Sequence, residues 1–283
     1  MIGSRWSQLS EQSVDMSKSY EETETEGSLP LFTVDGAHAT IRLNRPKQHN
    51  RIEPQDLLAI YGHLQRISAD KSIDLLILTG TGRKTFSSGY SLNALDAGTV
   101  SAPDSPSVTL ESVINMLEDL NVPTVCALNG SVYGAATDFA LACDFRFGIT
   151  GSTMLMPAAK IGIHYYAHGM RRYVERLGLG AAKRLFMTAE KIGCDEMLRI
   201  GFLDAVVEPS DLECHVESFV KRLENLAPTA VRGMKHDLNL IARGQFDECE
   251  MNRGYDRSLQ SEDLAEGLAA HSEKRSPMFR KDG

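Results

Sequence analysis

The 283-residue sequence has five cysteines and one tryptophan, and its 30 Lys and Arg are outnumbered by 38 Asp and Glu. Each shortfall excludes something. The cysteines, Cys126, Cys143, Cys194, Cys214 and Cys249, stand far apart with no CxxC pair, so neither a zinc site nor a disulfide framework is expected. Reduced thiols suit a cytoplasmic location. A formal net charge of −8 gives no general attraction to nucleic acid or to an anionic membrane. No apolar run approaches the roughly 20 residues that cross a bilayer, and no basic segment leads into an apolar one near Met1, so neither a membrane span nor a secretion signal is expected. The absence of any repeat of about 20 to 50 residues removes solenoid and propeller readings.

What is present is an ordinary globular composition, 42% hydrophobic and 24% charged, enough to bury a sizeable core. Residues 1–28 are polar and then acidic, without regular apolar spacing, and read as a mobile tail. "LFTVDGAHATIRLN" alternates about a Gly-containing turn, the pattern of a hairpin. A helix is expected from Pro54 to Ser68. "IDLLILTG" and "TVCALNG" are short apolar runs ending near glycine, as buried parallel strands are, and helical patterns separate them. The Pro-, Ser- and Gly-containing stretch from Asp96 to Ser107 reads as a flexible loop. An amphipathic helical stretch begins at Met170, "GFLDAVVE" reads as a strand, and the chain beyond Leu212 is helical in pattern. The fold class is therefore α/β, with a core over 29–211 and a helical region over 212–283.

Within this frame "NGSVYGAATDFALACDF", residues 129–145, places one carboxylate, Asp138, in an apolar helix behind Gly134. The small residues admit two readings. They allow close helix–sheet packing, or they let a ligand approach the helix start, where backbone N–H groups stabilise a developing anion. A second turn of the same kind, "FSSGY", follows the strand "LLILTG", so the Tyr90 amide is a candidate partner for the Ala135 amide in holding one oxygen.

With "LTG…FSSG", "PTVCALNGSVYGAATDFALACDFRF", "MPAAKIGI" and "RLFMTAEKIGCDEMLRIGFLDAVVE" in this order, the sequence resembles the crotonase superfamily, the enoyl-CoA hydratase/isomerase family, over residues 30–283. The resemblance implies a spiral of ββα turns with C-terminal helices used in trimer formation, and a homotrimer or dimer of trimers. It implies binding of coenzyme A thioesters, with coenzyme A as part of the substrate and no separate cofactor or metal. The oxyanion-hole positions fall on the amides of Tyr90 and Ala135, and a family glutamate position falls on Asp138. For coenzyme A, the resemblance points to Arg45, Lys47, Ser88, Phe279 and Lys281.

Two departures shape the expected chemistry. The family's second glutamate, after the proline of a "PE" pair, is Ala158 here. Asp138 is also one methylene shorter than glutamate, about 1.5 Å of reach. Hydration of an enoyl thioester needs water held and deprotonated while a proton reaches the α-carbon, work normally shared by two carboxylates. "GIHYYAHG" offers Tyr165 and His164 as proton donors, and Tyr165 matches a tyrosine of the methylmalonyl-CoA decarboxylase branch. Decarboxylation generates the enolate by itself and needs only an oxyanion hole and a proton donor. The expected function is thus an acyl-CoA lyase or isomerase of fatty-acid type metabolism, decarboxylation leading. A carbon–carbon hydrolase, a dehalogenase and a non-catalytic binding protein are the alternatives. His164 and His168, four apart, lack a third ligand and are not expected to bind metal. Tyr166 and Tyr173 read as core or subunit-contact aromatics, and Asp144 as a structural hydrogen-bonding group.

Overall fold

The computed structural model describes residues 27–96, 101–102 and 105–279. The expected tail lies almost wholly outside the described residues, apart from Gly27 and Ser28, and Ser28 is tied to Asn44 by a backbone hydrogen bond of 2.9 Å.

A hairpin, β1 (Leu31–Asp35) and β2 (His38–Leu43), turns at Gly36 and pairs antiparallel. Helix α1 (Pro54–Ala69) follows. Proline at its first position costs no hydrogen bond, and the Glu53 amide donates to Asp56 Oδ2 at 2.9 Å to close a capping box. Its buried face, Leu57, Ile60, Leu64 and Ile67, has the spacing of one helical side.

Three successive units then repeat one path, a strand in a large sheet, a strand in a small sheet, and a helix. The first is β3 (Leu75–Gly80), β4 (Thr85–Ser87) and α2 (Leu92–Asp96), extended by β5 (Ser101–Ala102), β6 (Ser105–Thr109) and α3 (Leu110–Glu118). The second is β7 (Thr124–Leu128), β8 (Ser131–Tyr133) and α4 (Ala135–Ala142). The third is β9 (Phe145–Ile149), β10 (Thr153–Leu155), a 3-10 turn over Ala158–Ile161, and α5 (Ala167–Thr188), whose helical run is broken at Gly178. β11 (Ile192–Gly193), α6 (Cys194–Arg199) and β12 (Ala205–Val207) close the core. The large sheet runs β1-β2-β3-β7-β9-β12, parallel from β2 onward, and the small one β11-β10-β8-β4. This is the spiral expected from the resemblance. Part of the expected 96–107 loop lies outside the described residues, and what is described there includes the antiparallel pair β5–β6.

Strand alternation divides the core in two. Leu76, Leu78, Cys126 and Leu128 face the helices of the spiral, while Leu75, Val125, Ala127, Phe147 and Ile149 face α7 (Leu212–Glu224) through its Leu212, Val216 and Val220. After α7 come α8 (Pro228–Ala242), α9 (Glu248–Ser258) and α10 (Glu262–Glu273).

Helix α8 has no fully buried residue. It docks by polar groups: Arg232 on Asp74 at 2.7 Å, Lys235 on Asp144 and on the Val122 carbonyl, both at 2.8 Å, and Asn239 on the Glu118 carbonyl at 3.2 Å. Met234, Leu238 and Ile241 stand exposed on the same helix.

Candidate active site

Parallel pairing of β4 with β8 puts their C-terminal ends side by side, so the turns that follow them, Ser87–Tyr90 and Tyr133–Ala135, lie against one another. The approach is close. A Cβ added to Gly89 would stand 2.6 Å from the Tyr133 carbonyl oxygen and 3.1 Å from the Ala135 nitrogen. Gly89 (φ +90°) and Gly134 (φ +55°) both have left-handed backbone, which glycine adopts without strain.

The first turn is anchored from outside. Ser88 N–H donates to the His49 carbonyl at 2.8 Å and Ile52 N–H to the Gly89 carbonyl at 2.9 Å, while Ser91 N–H donates to the Ile52 carbonyl at 2.9 Å. This bridge runs through the neighbours of Tyr90 and leaves the Tyr90 amide directed away from Ile52. Buried Asn50 fixes the corner, donating to the Thr81 and Thr85 carbonyls at 2.9 and 3.0 Å and receiving Ser87 Oγ on its carbonyl at 2.7 Å. The Tyr90 ring is buried in the core, and burial, with the Glu53 charge, pushes its hydroxyl up to about 12. In the second turn Gly134 caps α4, so the Ala135 amide is at a helix start where no intrahelical acceptor exists.

Asp138 lies in the first turn of α4 and is fully buried. Its carboxylate meets Arg172 of α5 at two points, Nε to Oδ1 at 2.8 Å and Nη2 to Oδ2 at 3.1 Å. The Tyr166 hydroxyl donates to Oδ2 through a short hydrogen bond, and the Tyr165 hydroxyl reaches it at 3.5 Å. The two tyrosine rings stack at 4.4 Å, their hydroxyl oxygens 3.4 Å apart. Burial and the Asp138 charge hold both phenols well above their ordinary value, so both are donors. Burial pushes the Arg172 guanidinium down, but the hydrogen bonds and charge of Asp138, with Glu118, raise it above its ordinary value. Gly169 makes room for this packing: a Cβ there would come 2.3 Å from Tyr165 Cε1 and 2.9 Å from Asp138 Oδ2.

Behind Arg172 lies Glu118, the last residue of α3, buried and bound by three guanidinium groups: Arg171 at 2.5 Å, Arg172 at 3.0 Å and Arg243 at 2.8 Å. Burial would raise its carboxyl, and these arginines instead hold it below its usual range.

The structure thus brings Asp138, Tyr165 and the Tyr90 and Ala135 turns into one region and adds Tyr166, Arg172 and Glu118, which sequence reasoning did not place there. Tyr166, expected to be a packing aromatic, makes the closer hydroxyl contact with Asp138 than Tyr165 does. A basic residue on a helix face gives no sign in sequence of which carboxylate it will meet across the fold, and so Arg172 passed unnoticed. His164 is exposed and is not among the described donors to Asp138. Ala158 is buried in the 3-10 turn. Tyr173 is buried and bonded to Thr137. Asp144 accepts from Thr124 N and Oγ1 at 2.8 and 2.9 Å.

Among the coenzyme A candidates the outcome is uneven. Ser88 lies in the amide turn, its hydroxyl 3.4 Å from the Gln48 carbonyl, and Lys47 is exposed in the 3-10 turn Pro46–Gln48 that follows the hairpin. Arg45 is committed to buried Asp56, by Nε at 2.9 Å and Nη2 at 3.0 Å, which makes it a structural ion pair rather than an open phosphate contact. Phe279 lines a cavity of about 50 Å³ with Leu75, Pro123, Leu223 and Val231. Leu75 opens β3 and Pro123 precedes β7, so within the subunit Phe279 is at the end of the sheet opposite the Ser88 turn. The reason is local. Glu266 takes Arg275 by both oxygens and the Met278 amide at 2.6 Å, folding the C-terminal segment back on α10. Lys281 lies outside the described residues.

Fold and site define a class: spiral α/β proteins in which the turns after two neighbouring parallel strands lie against one another, with a helix-borne acidic residue behind the second. Residues 34–282 match the enoyl-CoA hydratase/isomerase family, and the chain belongs to it. It is 30% identical over 261 residues to YngF of Bacillus subtilis, a protein described by the same enoyl-CoA hydratase/isomerase name, across 90% of this chain and 99% of that one. It is 29% identical over 255 residues to the crotonyl-CoA hydratase of Syntrophomonas wolfei, across 85% of this chain and 94% of the relative. A crystal structure of an enoyl-CoA hydratase from Bacillus anthracis superposes with a TM-score of 0.81 at 26% identity, covering 90% of this chain and all of that one.

Proposed function

We propose that the protein transforms acyl-CoA thioesters through an enolate held by the Tyr90 and Ala135 amides, with decarboxylation of a malonyl-type CoA ester favoured over isomerisation or hydration. One observation carries the preference. Both Asp138 oxygens accept hydrogen bonds from Arg172, Oδ2 accepts from Tyr166 as well, and Ala158 supplies no second carboxylate. A carboxylate held in this way is poorly disposed to deprotonate water.

Decarboxylation makes no such demand. The bond between the α-carbon and the substrate carboxylate breaks, CO2 leaves, and the electron pair passes into the thioester as an enolate whose oxygen the two amides hold. The α-carbon then takes a proton from Tyr165 or Tyr166, and solvent restores the phenol. Arg172 beside Tyr166 offsets the phenolate formed in passing. Coenzyme A enters as part of the substrate, along the Ser88 turn with Lys47 nearby. The exposed Met234, Leu238 and Ile241 of α8 favour assembly with further copies, a trimer or a dimer of trimers, and a cytoplasmic location suits the reduced cysteines.

The test is a mass-spectrometric product screen against crotonyl-, 3-enoyl-, methylmalonyl-, β-diketo- and 4-chlorobenzoyl-CoA in deuterated water. Loss of CO2 with deuterium gained at the α-carbon is the expected result. Addition of D2O to crotonyl-CoA is the second reading, favoured by the crotonyl-CoA hydratase among the relatives, and its appearance as the main product overturns the first. Binding of CoA esters without turnover of any would point to a non-catalytic role.

A further inference from the structure

The buried charges behind Asp138 form a continuous line into the C-terminal helical region. Arg172 divides its donors between two acids: Nε and Nη2 go to Asp138, while Nη1 goes to Glu118 Oε2 at 3.0 Å and to Asn115 Oδ1 at 2.9 Å. Glu118 Oε2 in turn receives Arg171 at 2.5 Å and Arg243 at 2.8 Å. Arg243 directly follows α8, the helix that docks on the core through polar side chains, and it also binds Asp119.

We propose that Glu118 and Arg243 are positioning residues for Asp138: Arg243 balances the pull of Glu118 on Arg172, so the orientation of the site carboxylate depends on the docking of α8. The reasoning is electrostatic. Three guanidinium groups share one oxygen of Glu118, and Arg172 alone among them also holds Asp138. Without Arg243, the unscreened charge of Glu118 falls on Arg171 and Arg172 in a buried setting, where such attractions are strong. Arg172 then shifts toward Glu118, its two-point hold on Asp138 loosens, and the Tyr166–Asp138 hydrogen bond changes. The catalytic consequence rests on the function proposed above, whereas the structural linkage does not.

The experiment reads both separately. In full-length protein carrying 13Cζ-labelled tyrosine, Arg243→Gln is compared with wild type, Arg243→Lys and Arg275→Gln, the last removing a C-terminal ion pair unconnected to Glu118. The Tyr166 resonance, assigned with Tyr166→Phe, is expected to move in Arg243→Gln, to return toward wild type in Arg243→Lys, and to stay fixed in Arg275→Gln. On whichever CoA ester the wild type turns over, kcat should fall roughly twofold to thirtyfold in Arg243→Gln at constant KM. A Tyr166 resonance unmoved in Arg243→Gln, or moved equally by Arg275→Gln, overturns the proposal, as does failure of Arg243→Lys to restore it. Absence of turnover in every protein, wild type included, would count against the proposed function alone, because the resonance still decides the linkage.

Discussion

Asp138 and Arg172 face each other in a fully buried two-point ion pair, with distances of 2.8 and 3.1 Å. This pair, formed between α4 and α5, is the junction of fold and site: it packs two helices of the spiral together and fixes the one acidic side chain behind the second amide. Removing one member leaves the other charge buried without its partner. Arg172→Ala should therefore cost about 3–5 kcal/mol in denaturant unfolding, and Asp138→Leu a comparable amount. The paired change Asp138→Leu/Arg172→Met should cost clearly less than the sum. Additive losses would mean that the pair is not coupled.

Gly89 offers a test of the amide pair that leaves every side chain with chemistry in place. Gly89→Ala sets a methyl 2.6 Å from the Tyr133 carbonyl, on a residue with φ of +90°, and must push the two turns apart. Displacement of this order costs about 100-fold in turnover when the reacting geometry is set by fixed donors. The expected outcome is a fall in kcat on the enzyme's CoA ester at least that large, with far-UV circular dichroism unchanged. Full activity in Gly89→Ala would remove the Tyr90 and Ala135 amides from the mechanism.

Much of this architecture was legible in sequence, for reasons that differ by element. β3 and β7 announce themselves because strands buried on both faces are continuously apolar, and α1 because Pro54 and its 3-4-3 apolar spacing leave no other regular reading. The Gly89 and Gly134 turns were visible because close backbone approach tolerates only small residues. The partner of Asp138 was not, since Arg172 is 34 residues away and amphipathic periodicity places an arginine on a helix without saying what it meets. The course of the C-terminal segment was not legible either: the Glu266 clasp on Arg275 and Met278 turns it back within the subunit and sets Phe279 beside Leu75 and Pro123, and no local pattern encodes that placement.

Glu118 predicts a pH dependence. Its carboxyl is held below its ordinary value of 4.5 in the folded protein, despite burial, by Arg172, Arg171 and Arg243. A group depressed in this way stabilises the fold fully above the unfolded-state value and loses that contribution as pH falls through the lower folded-state value. Glu118→Gln should thus lower stability at pH 7 by roughly 1.5–3 kcal/mol, the worth of a charged hydrogen bond. The difference from wild type should shrink below about pH 4.5. Thermal melts from pH 3 to 8 check this, and a constant difference across that range would show that Glu118 does not titrate with folding.

In the mechanism proposed above Tyr166 and Tyr165 are the two candidate proton donors, and single hydroxyl deletions separate them. Tyr166 donates to Asp138 Oδ2 through the shorter contact, is half-buried and so nearer to solvent than Tyr165, and feels the Arg172 charge that would offset its phenolate. Tyr165 is the more buried, with its ring packed against Phe186, and it reaches Asp138 at 3.5 Å. Loss of a general acid costs about 100-fold to 10,000-fold in rate. Tyr166→Phe is therefore expected to reduce kcat by at least 100-fold and to cost about 1.5–3 kcal/mol of stability, the worth of its hydrogen bond to the charged carboxylate, while Tyr165→Phe reduces kcat by much less and costs less stability. Deuterium incorporation at the product α-carbon gives the sharper reading: in Tyr166→Phe, enolate released unprotonated and quenched by solvent would lose any stereochemical preference, whereas in Tyr165→Phe that preference should persist. The reverse pattern would return the role to Tyr165 and make Tyr166 the residue that merely holds Asp138.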